Sequence, residues 1–168
     1  MMQEVSLYKG VIETESGPIS VRDLSYFLYH FRAVYVEALR YKENYSISGP
    51  PRENAIAQMA EEIAQSLSNK TRLDIQKNAL IDLPAQAELA IVDIARKNPL
   101  DVVFTGVGVA LAVAVIISGG EIKWDKDGFK VKLPPLGKGI AEIKKAIYGE
   151  KNLKALRQPG NDKSKSAR

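Results

Sequence analysis

The sequence predicts an α+β protein in which a small, mostly antiparallel sheet packs against a long aromatic-rich helix and a very apolar central helix. The long helix is predicted over residues 20–42, where apolar side chains recur every three or four residues. The sheet is predicted from residues 72–83 and 121–133, where apolar and polar side chains alternate. The central helix is predicted over residues 106–118, which overlap a run of uncharged residues at 102–117.

Length and composition are those of an ordinary globular chain, with 168 residues, 45% of them hydrophobic and 26% charged. We expect one α+β domain over residues 1–157 and a disordered basic tail over residues 158–168. The Pro, Gly, Ser and Lys residues of the tail bury little apolar area. The chain has no cysteine, which excludes disulfides and thiolate metal sites and fits a reducing compartment. The first residues lack the apolar run of a secretory signal, so we expect a cytoplasmic protein.

The N-terminal residues predict short strands followed by the long helix. Residues 3–13 contain few aliphatic side chains and are predicted as one or two short strands, broken near Gly10. Ser20 and Asp23 have the spacing of a capping box, which places the start of the helix at Val21.

Tyrosine is concentrated in the long helix and just after it. A ring that carries a hydroxyl suits a half-exposed boundary or a surface that contacts a partner. The candidates for a partner surface are Tyr26, Tyr29, Tyr41 and Tyr45. We favour the simpler interpretation, in which the rings pack on the protein's own core and the hydroxyls lie at its rim.

His30 is the only histidine and the one residue that suggests acid–base chemistry. A single histidine lacks the second histidine or cysteine that a metal site needs, and no nucleophile stands out as its mate. We therefore predict a packed histidine, and we name no catalytic, cofactor-binding or metal-binding residue.

The middle of the chain is predicted to hold a second helix and further strands. The second helix covers residues 51–68, and the prolines at its start suit a first helical turn. Residues 72–83 show the clearest alternation and are predicted as a strand that bends or pairs with itself near Asn78. Residues 86–97 suit either a helix or a strand, and we favour a strand that turns into a second one at residues 100–104.

The uncharged stretch at 102–118 is either buried or in contact with a membrane. As a helix it places four small side chains on one ridge, at a spacing that lets two helices approach closely. This small-residue ridge consists of Gly106, Ala110, Ala114 and Ser118, and we predict for it membrane contact or self-association. The same residues also alternate as in a strand. Because lysines are dense after the stretch, a buried or reversibly inserted helix is favoured over a permanent span.

The C-terminal part is predicted as a β-hairpin over residues 121–133 and a short amphipathic helix over residues 139–148. Residues 121–168 carry 13 Lys and Arg against 6 Asp and Glu, whereas residues 1–100 carry 11 against 13. The candidate basic surface consists of Lys138, Lys144, Lys145, Lys151, Lys154 and Arg157. A solvated lysine-rich surface explains this charge most simply, and an anionic membrane is the alternative partner. Nucleic acid is disfavoured because the aromatic residues lie in the less basic half of the chain.

Together these features favour a non-enzymatic interaction or effector protein that acts through protein contacts. It would work at the cytosolic face of a membrane if segment 102–118 reaches the lipid. The alternative is a wholly soluble regulatory or binding domain in which residues 106–118 form the buried central helix. A single-pass membrane protein is the third possibility. The expected partner is another protein or a second copy of the chain, and no cofactor is expected.

Overall fold

The computed structural model describes residues 7–12, 18–44, 53–96, 100–125 and 128–157. Within them the chain forms, in order, β1 (Leu7–Ile12), α1 (Val21–Asn44), α2 (Glu53–Ser68), α3 (Arg72–Leu80), β2 (Ala90–Arg96), β3 (Leu100–Thr105), α4 (Gly108–Ile117), β4 (Glu121–Asp125), β5 (Gly128–Leu133) and α5 (Leu136–Arg157). The strands make one sheet in the order β2-β3-β1-β5-β4. β1 and β5 pair in parallel, and the pairs β1–β3, β2–β3 and β4–β5 are antiparallel. The predicted α+β class is therefore confirmed.

One face of the sheet carries the core. Val102 and Phe104 of β3 and Val131 and Leu133 of β5 are at most 3% exposed. The lysines that alternate with the buried residues of β5 are exposed. Because successive side chains of a strand point to opposite faces, the helices lie against the face that carries these apolar residues.

Helix α1 packs across the apolar face of the sheet. Phe27, Phe31 and Tyr35 are at most 1% exposed. The ring of Phe31 stacks on that of Phe104, with the ring centroids 6.0 Å apart. These large side chains make α1 the main link between the helices and the sheet.

Helix α4 lies at the centre of the fold, between α1 and α2. Its residues from Val109 to Val115 are at most 6% exposed. The helix contains no charged side chain, so its burial carries no cost of charge desolvation. Within the described ranges, no helix combines the length and the apolar character that crossing a bilayer requires.

Several predicted elements are confirmed. The predicted helices at 20–42, 51–68 and 106–118 correspond to α1, α2 and α4. The strand interpretation of residues 86–97 agrees with β2, which pairs with β3.

The predicted C-terminal elements are also present. Residues 121–133 form the hairpin of β4 and β5. The helix predicted at 139–148 is the first part of α5, which continues to Arg157 beyond a kink at Gly149, where φ is 66°.

The strand predicted at 72–83 is wrong, because residues 72–80 form helix α3. Thr71 and Asp74 form a capping box, in which each side chain accepts a hydrogen bond from the backbone N–H of the other residue. This box fixes the helix start. The apolar residues that alternate in the sequence lie on both sides of this short helix, so alternation was a misleading signal.

The break predicted near Gly10 is also wrong. β1 continues through Gly10, which pairs with Val102 on one side and with Val131 on the other. Pairing on both sides compensates for the low strand propensity of glycine. The remainder of segment 3–13 and the tail predicted at 158–168 lie outside the described residues.

Candidate functional site

Several of the residues singled out from the sequence meet where α1 packs on α5. Tyr26 stacks on His30 with the ring centroids 4.0 Å apart, and the Tyr29 ring meets His30 edge-on at 5.0 Å. Tyr148 of α5 lies 6.5 Å from the His30 ring. Lys144 Nζ lies 4.9 Å from the centre of the Tyr26 ring, which is the geometry of a cation–π contact. We call these five residues the ring cluster.

The ring cluster packs around a buried histidine. His30 is 5% exposed, and its Nδ1 donates a hydrogen bond of 2.8 Å to the carbonyl oxygen of Tyr26. Burial lowers the pKa of His30 and so favours the neutral ring. Burial and the neighbouring Tyr148 raise the pKa of Tyr26 to about 12. At neutral pH the cluster therefore joins α1 and α5 around a neutral His30 ring and a neutral Tyr26 ring. Sequence reasoning missed the contribution of Tyr148.

The predicted tyrosines do not share one surface. Tyr26 and Tyr29 belong to the ring cluster, whereas Tyr41 donates its hydroxyl hydrogen to Glu62 of α2. Tyr45 lies outside the described residues. The side chains of Tyr26, Tyr29 and Tyr41 are partly buried, as the rim interpretation of the sequence expects.

Three of the four residues of the small-residue ridge face the interior of the chain, whereas Gly106 is partly exposed and precedes α4. Ala110, Ala114 and Ser118 are 0% exposed, and Ser118 Oγ donates a hydrogen bond of 2.8 Å to the carbonyl of Val115. A Cβ atom added at Gly106 would lie 3.0 Å from the hydroxyl of Tyr35. Contact of this ridge with lipid or a second copy would first require α4 to leave the core. Membrane contact and self-association through the ridge remain predictions.

The residues of the predicted basic surface are spread along α5. Lys138 and Lys145 are exposed, and Lys144 is partly buried over the Tyr26 ring. Lys151, Lys154 and Arg157 follow the kink in the same helix. Lys144, which packs on a ring, therefore differs in environment from the exposed Lys138 and Lys145.

A polar network holds α3 against α1 and α2. Asn78 is 1% exposed, and its amide donates a hydrogen bond of 2.9 Å to the carboxylate of Glu37. The other oxygen of that carboxylate accepts a hydrogen bond of 2.9 Å from Ser66 and lies 3.4 Å from Lys70 Nζ. Arg40 donates a hydrogen bond of 2.6 Å to the side-chain oxygen of Asn78. Because the charged and amide groups satisfy one another, α3 has a fixed position.

The outer side of α3 carries a groove that sequence reasoning missed. Leu73 and Leu80 are 66% and 63% exposed, and Ile81 is 38% exposed. The groove has a volume of about 510 Å³. It is lined by Arg40, Leu73, Gln76, Lys77, Leu80 and Ile81, and we call it the α3 groove.

A helical interpretation of residues 72–80 would have revealed the exposed apolar side of α3, although not the groove that Arg40 completes. On a helix, Ile75 and Ala79 lie on one side, and both are buried. Leu73 and Leu80 are seven residues apart and share another side. A nine-residue helix with apolar side chains on opposite sides buries one set and exposes the other.

Comparisons of the chain with models of protein families, with curated proteins and with solved structures gave no match.

Proposed function

We propose that this chain is a non-enzymatic binding domain that takes a protein partner in the α3 groove, with α4 as its buried central helix. The observation that carries the proposal is the exposure of Leu73 and Leu80 in one groove, at 66% and 63%. Scattered apolar residues are normal on protein surfaces, but neighbouring ones that line a common groove are typical of binding surfaces.

The groove suits an amphipathic helix with an acidic polar side. The charged residues that line it are Arg40 and Lys77, and both are cationic. The bond to Asn78 holds Arg40 in place, so a partner carboxylate would meet an ordered guanidinium. The apolar side of such a helix would cover Leu73, Leu80 and Ile81.

The burial of α4 supports a binding domain over membrane insertion of residues 102–118. Seven consecutive residues, Val109 to Val115, would each leave a packed interior before they could meet lipid. We therefore do not propose contact with a membrane through this segment. A cytoplasmic location belongs to the same proposal and rests on the cysteine-free composition.

The state of His30 supports the non-enzymatic part of the proposal. Its Nδ1 is engaged by the Tyr26 carbonyl, and aromatic rings surround it. A general base needs an accessible nitrogen within hydrogen-bond reach of a substrate. The buried ring of His30 offers a surface to other rings instead.

The test uses two synthetic amphipathic helical peptides that share one apolar pattern and differ in charge. One carries glutamates on its polar side and the other carries lysines. Titration of the ¹⁵N-labelled protein should shift the amides of residues 73–81 with the acidic peptide and leave them unchanged with the basic one. The double variant Leu73→Ser, Leu80→Ser should bind the acidic peptide about tenfold more weakly or worse, because the two leucines supply apolar surface that the partner would bury.

Val21→Ser is the matched control, because Val21 is 78% exposed and lies at the start of α1, outside the groove. It should bind the acidic peptide like the parent, and both variants should keep the parent melting temperature. Equal binding by the parent and the double variant would refute the proposal. So would the failure of the acidic peptide to shift the groove amides.

A further inference from the structure

The two edges of the sheet differ in character. At one edge, β4 exposes the charged side chains of Glu121 and Lys123. At the other edge, β2 exposes Ile91, Val92 and Ile94 at 41%, 54% and 51%. Charged residues protect a free edge from pairing with other chains, whereas exposed aliphatic residues favour it. The β4 edge has this protection. Among the described residues of β2, only Asp93 and the bulge offer comparable protection.

The helix layer stops short of β2. Ile91 is the register partner of Phe104, and Ile94 is that of Val102, so each isoleucine shares a sheet face with a core residue. Phe104 and Val102 are each 1% exposed, while the two isoleucines beside them are about half exposed. In the described part of the chain, the helices therefore cover this face as far as β3 and leave β2 open.

We propose that β2 pairs with β2 of a second copy of this chain, antiparallel, about a two-fold axis at Ile94. This pairing would join two sheets edge to edge. Ile91 and Ile94 of both copies would then line one continuous apolar strip on the helix side. A foreign strand would need apolar residues of its own at the matching positions, whereas an identical strand supplies them by symmetry.

Symmetry limits the possible registers. In an antiparallel pair, side chains that lie opposite each other point to the same face of the sheet. If both copies turn their helices to the same side, the two-fold axis must therefore pass between one residue and its own copy. An axis at Asp93 would set two carboxylates against each other, which is unfavourable. An axis at Val92 would fall on the β-bulge between Ile91 and Asp93. An axis at Ile94 sets Ile94 opposite its copy and Asp93 opposite Ala95, and it keeps the bulge away from the centre.

Cysteine cross-linking tests the register directly, since the parent chain contains no cysteine. Opposed residues in an antiparallel pair have Cβ atoms about 5 Å apart, which a short bismaleimide spans. With the full-length chain, Ile94→Cys should form covalent dimers about tenfold or more faster than Val21→Cys, because pairing raises the local thiol concentration. Val21 is 78% exposed and lies on α1, so its variant measures random collisions. Asp93→Cys should cross-link more slowly than Ile94→Cys.

Sedimentation equilibrium supplies the second measurement. The parent should dimerise, and Ile94→Lys should remain monomeric at the same concentration with an unchanged circular dichroism spectrum. Faster cross-linking of Asp93→Cys would overturn the proposed register. Equal rates for Ile94→Cys and Val21→Cys, a monomeric parent, or a dimer that survives Ile94→Lys would overturn the proposal. A monomer that still binds the acidic peptide in the α3 groove would leave the proposed function intact.

Discussion

The guanidinium of Arg32 holds the carboxylate of Glu88 through two parallel hydrogen bonds, of 2.9 Å from Nε and 2.8 Å from Nη2. The same guanidinium donates to the backbone carbonyls of Ala79 and Ile81 at 2.7 Å and 2.6 Å. It therefore joins the end of α3 to the segment that leads into β2. The planar five-donor group of arginine suits this combination of a carboxylate and several carbonyls.

Replacement of Arg32 should destabilise the fold more than replacement of its acidic partner. Arg32→Lys keeps the charge but loses the planar set of guanidinium N–H donors. We therefore expect a loss of about 2 to 3 kcal/mol in the free energy of unfolding. Glu88→Gln should cost about 1 kcal/mol, because the carbonyl bonds of Arg32 remain. Urea unfolding of both variants gives the comparison. An equal or larger loss for Glu88→Gln would show that the ion pair, rather than the carbonyl bonds, provides the stability.

The buried His30 should make the protein less stable in mild acid. Its pKa lies below the ordinary value of 6.5 because burial disfavours the charged ring, and nearby Lys144 acts in the same direction. The folded state then binds fewer protons than the unfolded state, so stability is full above pH 6.5 and falls as the pH drops towards the folded pKa. Tyr26, Tyr29 and Tyr148 also face the ring, and the raised pKa of Tyr26, about 12, keeps that hydroxyl neutral in this range.

The matching variant is His30→Phe, which keeps a ring in the cluster and removes the titrating group. Urea unfolding from about pH 7.5 to about pH 5.5 should show a loss of stability in the parent that is smaller in the variant. Glu88 does not interfere with this measurement. Arg32 lowers its pKa from 4.5, so its contribution to the free energy of unfolding is lost only at more acidic pH. Parallel pH profiles for parent and variant would contradict this prediction.

The Tyr35 hydroxyl should contribute strongly to the free energy of unfolding. It donates a hydrogen bond of 2.6 Å to the carbonyl of Ala87 and accepts one of 2.8 Å from the N–H of Val107, just before α4. Tyr35→Phe leaves both backbone groups without this partner, so we expect a loss of about 2 to 4 kcal/mol. Chemical denaturation at neutral pH measures it, and a loss below about 0.5 kcal/mol would show that water replaces the hydroxyl.

Gly106 and Tyr35 should show energetic coupling. A Cβ atom at position 106 would lie 3.0 Å from the Tyr35 hydroxyl oxygen, so Gly106→Ala should destabilise the parent by about 1 to 3 kcal/mol. In the Tyr35→Phe background that oxygen is gone, and Gly106→Ala should cost at least about 0.5 kcal/mol less. A double-mutant cycle measures the difference. If the stability losses of the two substitutions simply add, a shift of the backbone relieves the close approach between the new Cβ atom and the Tyr35 hydroxyl.

Two of the helices that the sequence predicted correctly have a sustained pattern. The apolar face of α1 recurs over six turns, and the uncharged run of α4 favours a buried helix. Helix α3 has nine residues and apolar side chains on both sides, so its local pattern favoured a strand. Its capping box, Thr71 with Asp74, was the signal that could have corrected this prediction.

The candidate sites were harder to predict because they depend on tertiary contacts. The ring cluster needs Tyr148, which is more than one hundred residues from Tyr26 along the chain. The α3 groove needs Arg40 of α1 beside Leu80 of α3, and no sequence spacing indicates that contact. The small-residue ridge was visible as a pattern, but the sequence left open whether it packs inside the chain or against another surface.

The packing of α4 can be tested through the ridge itself. Ala110 and Ala114 are 0% exposed, so Ala110→Leu and Ala114→Leu should each cost about 1 to 3 kcal/mol by overpacking. Leu111 is also 0% exposed, and Leu111→Ala should cost about 2 to 5 kcal/mol through the cavity it leaves. Val21→Ala, at a position that is 78% exposed, is the control and should change stability by less than about 0.5 kcal/mol. Thermal melts in buffer, with and without anionic vesicles, provide the measurement. Because every added or removed methyl group lies in the interior, vesicles should not restore the melting temperature of the variants. A melting temperature restored by vesicles would place the ridge against lipid.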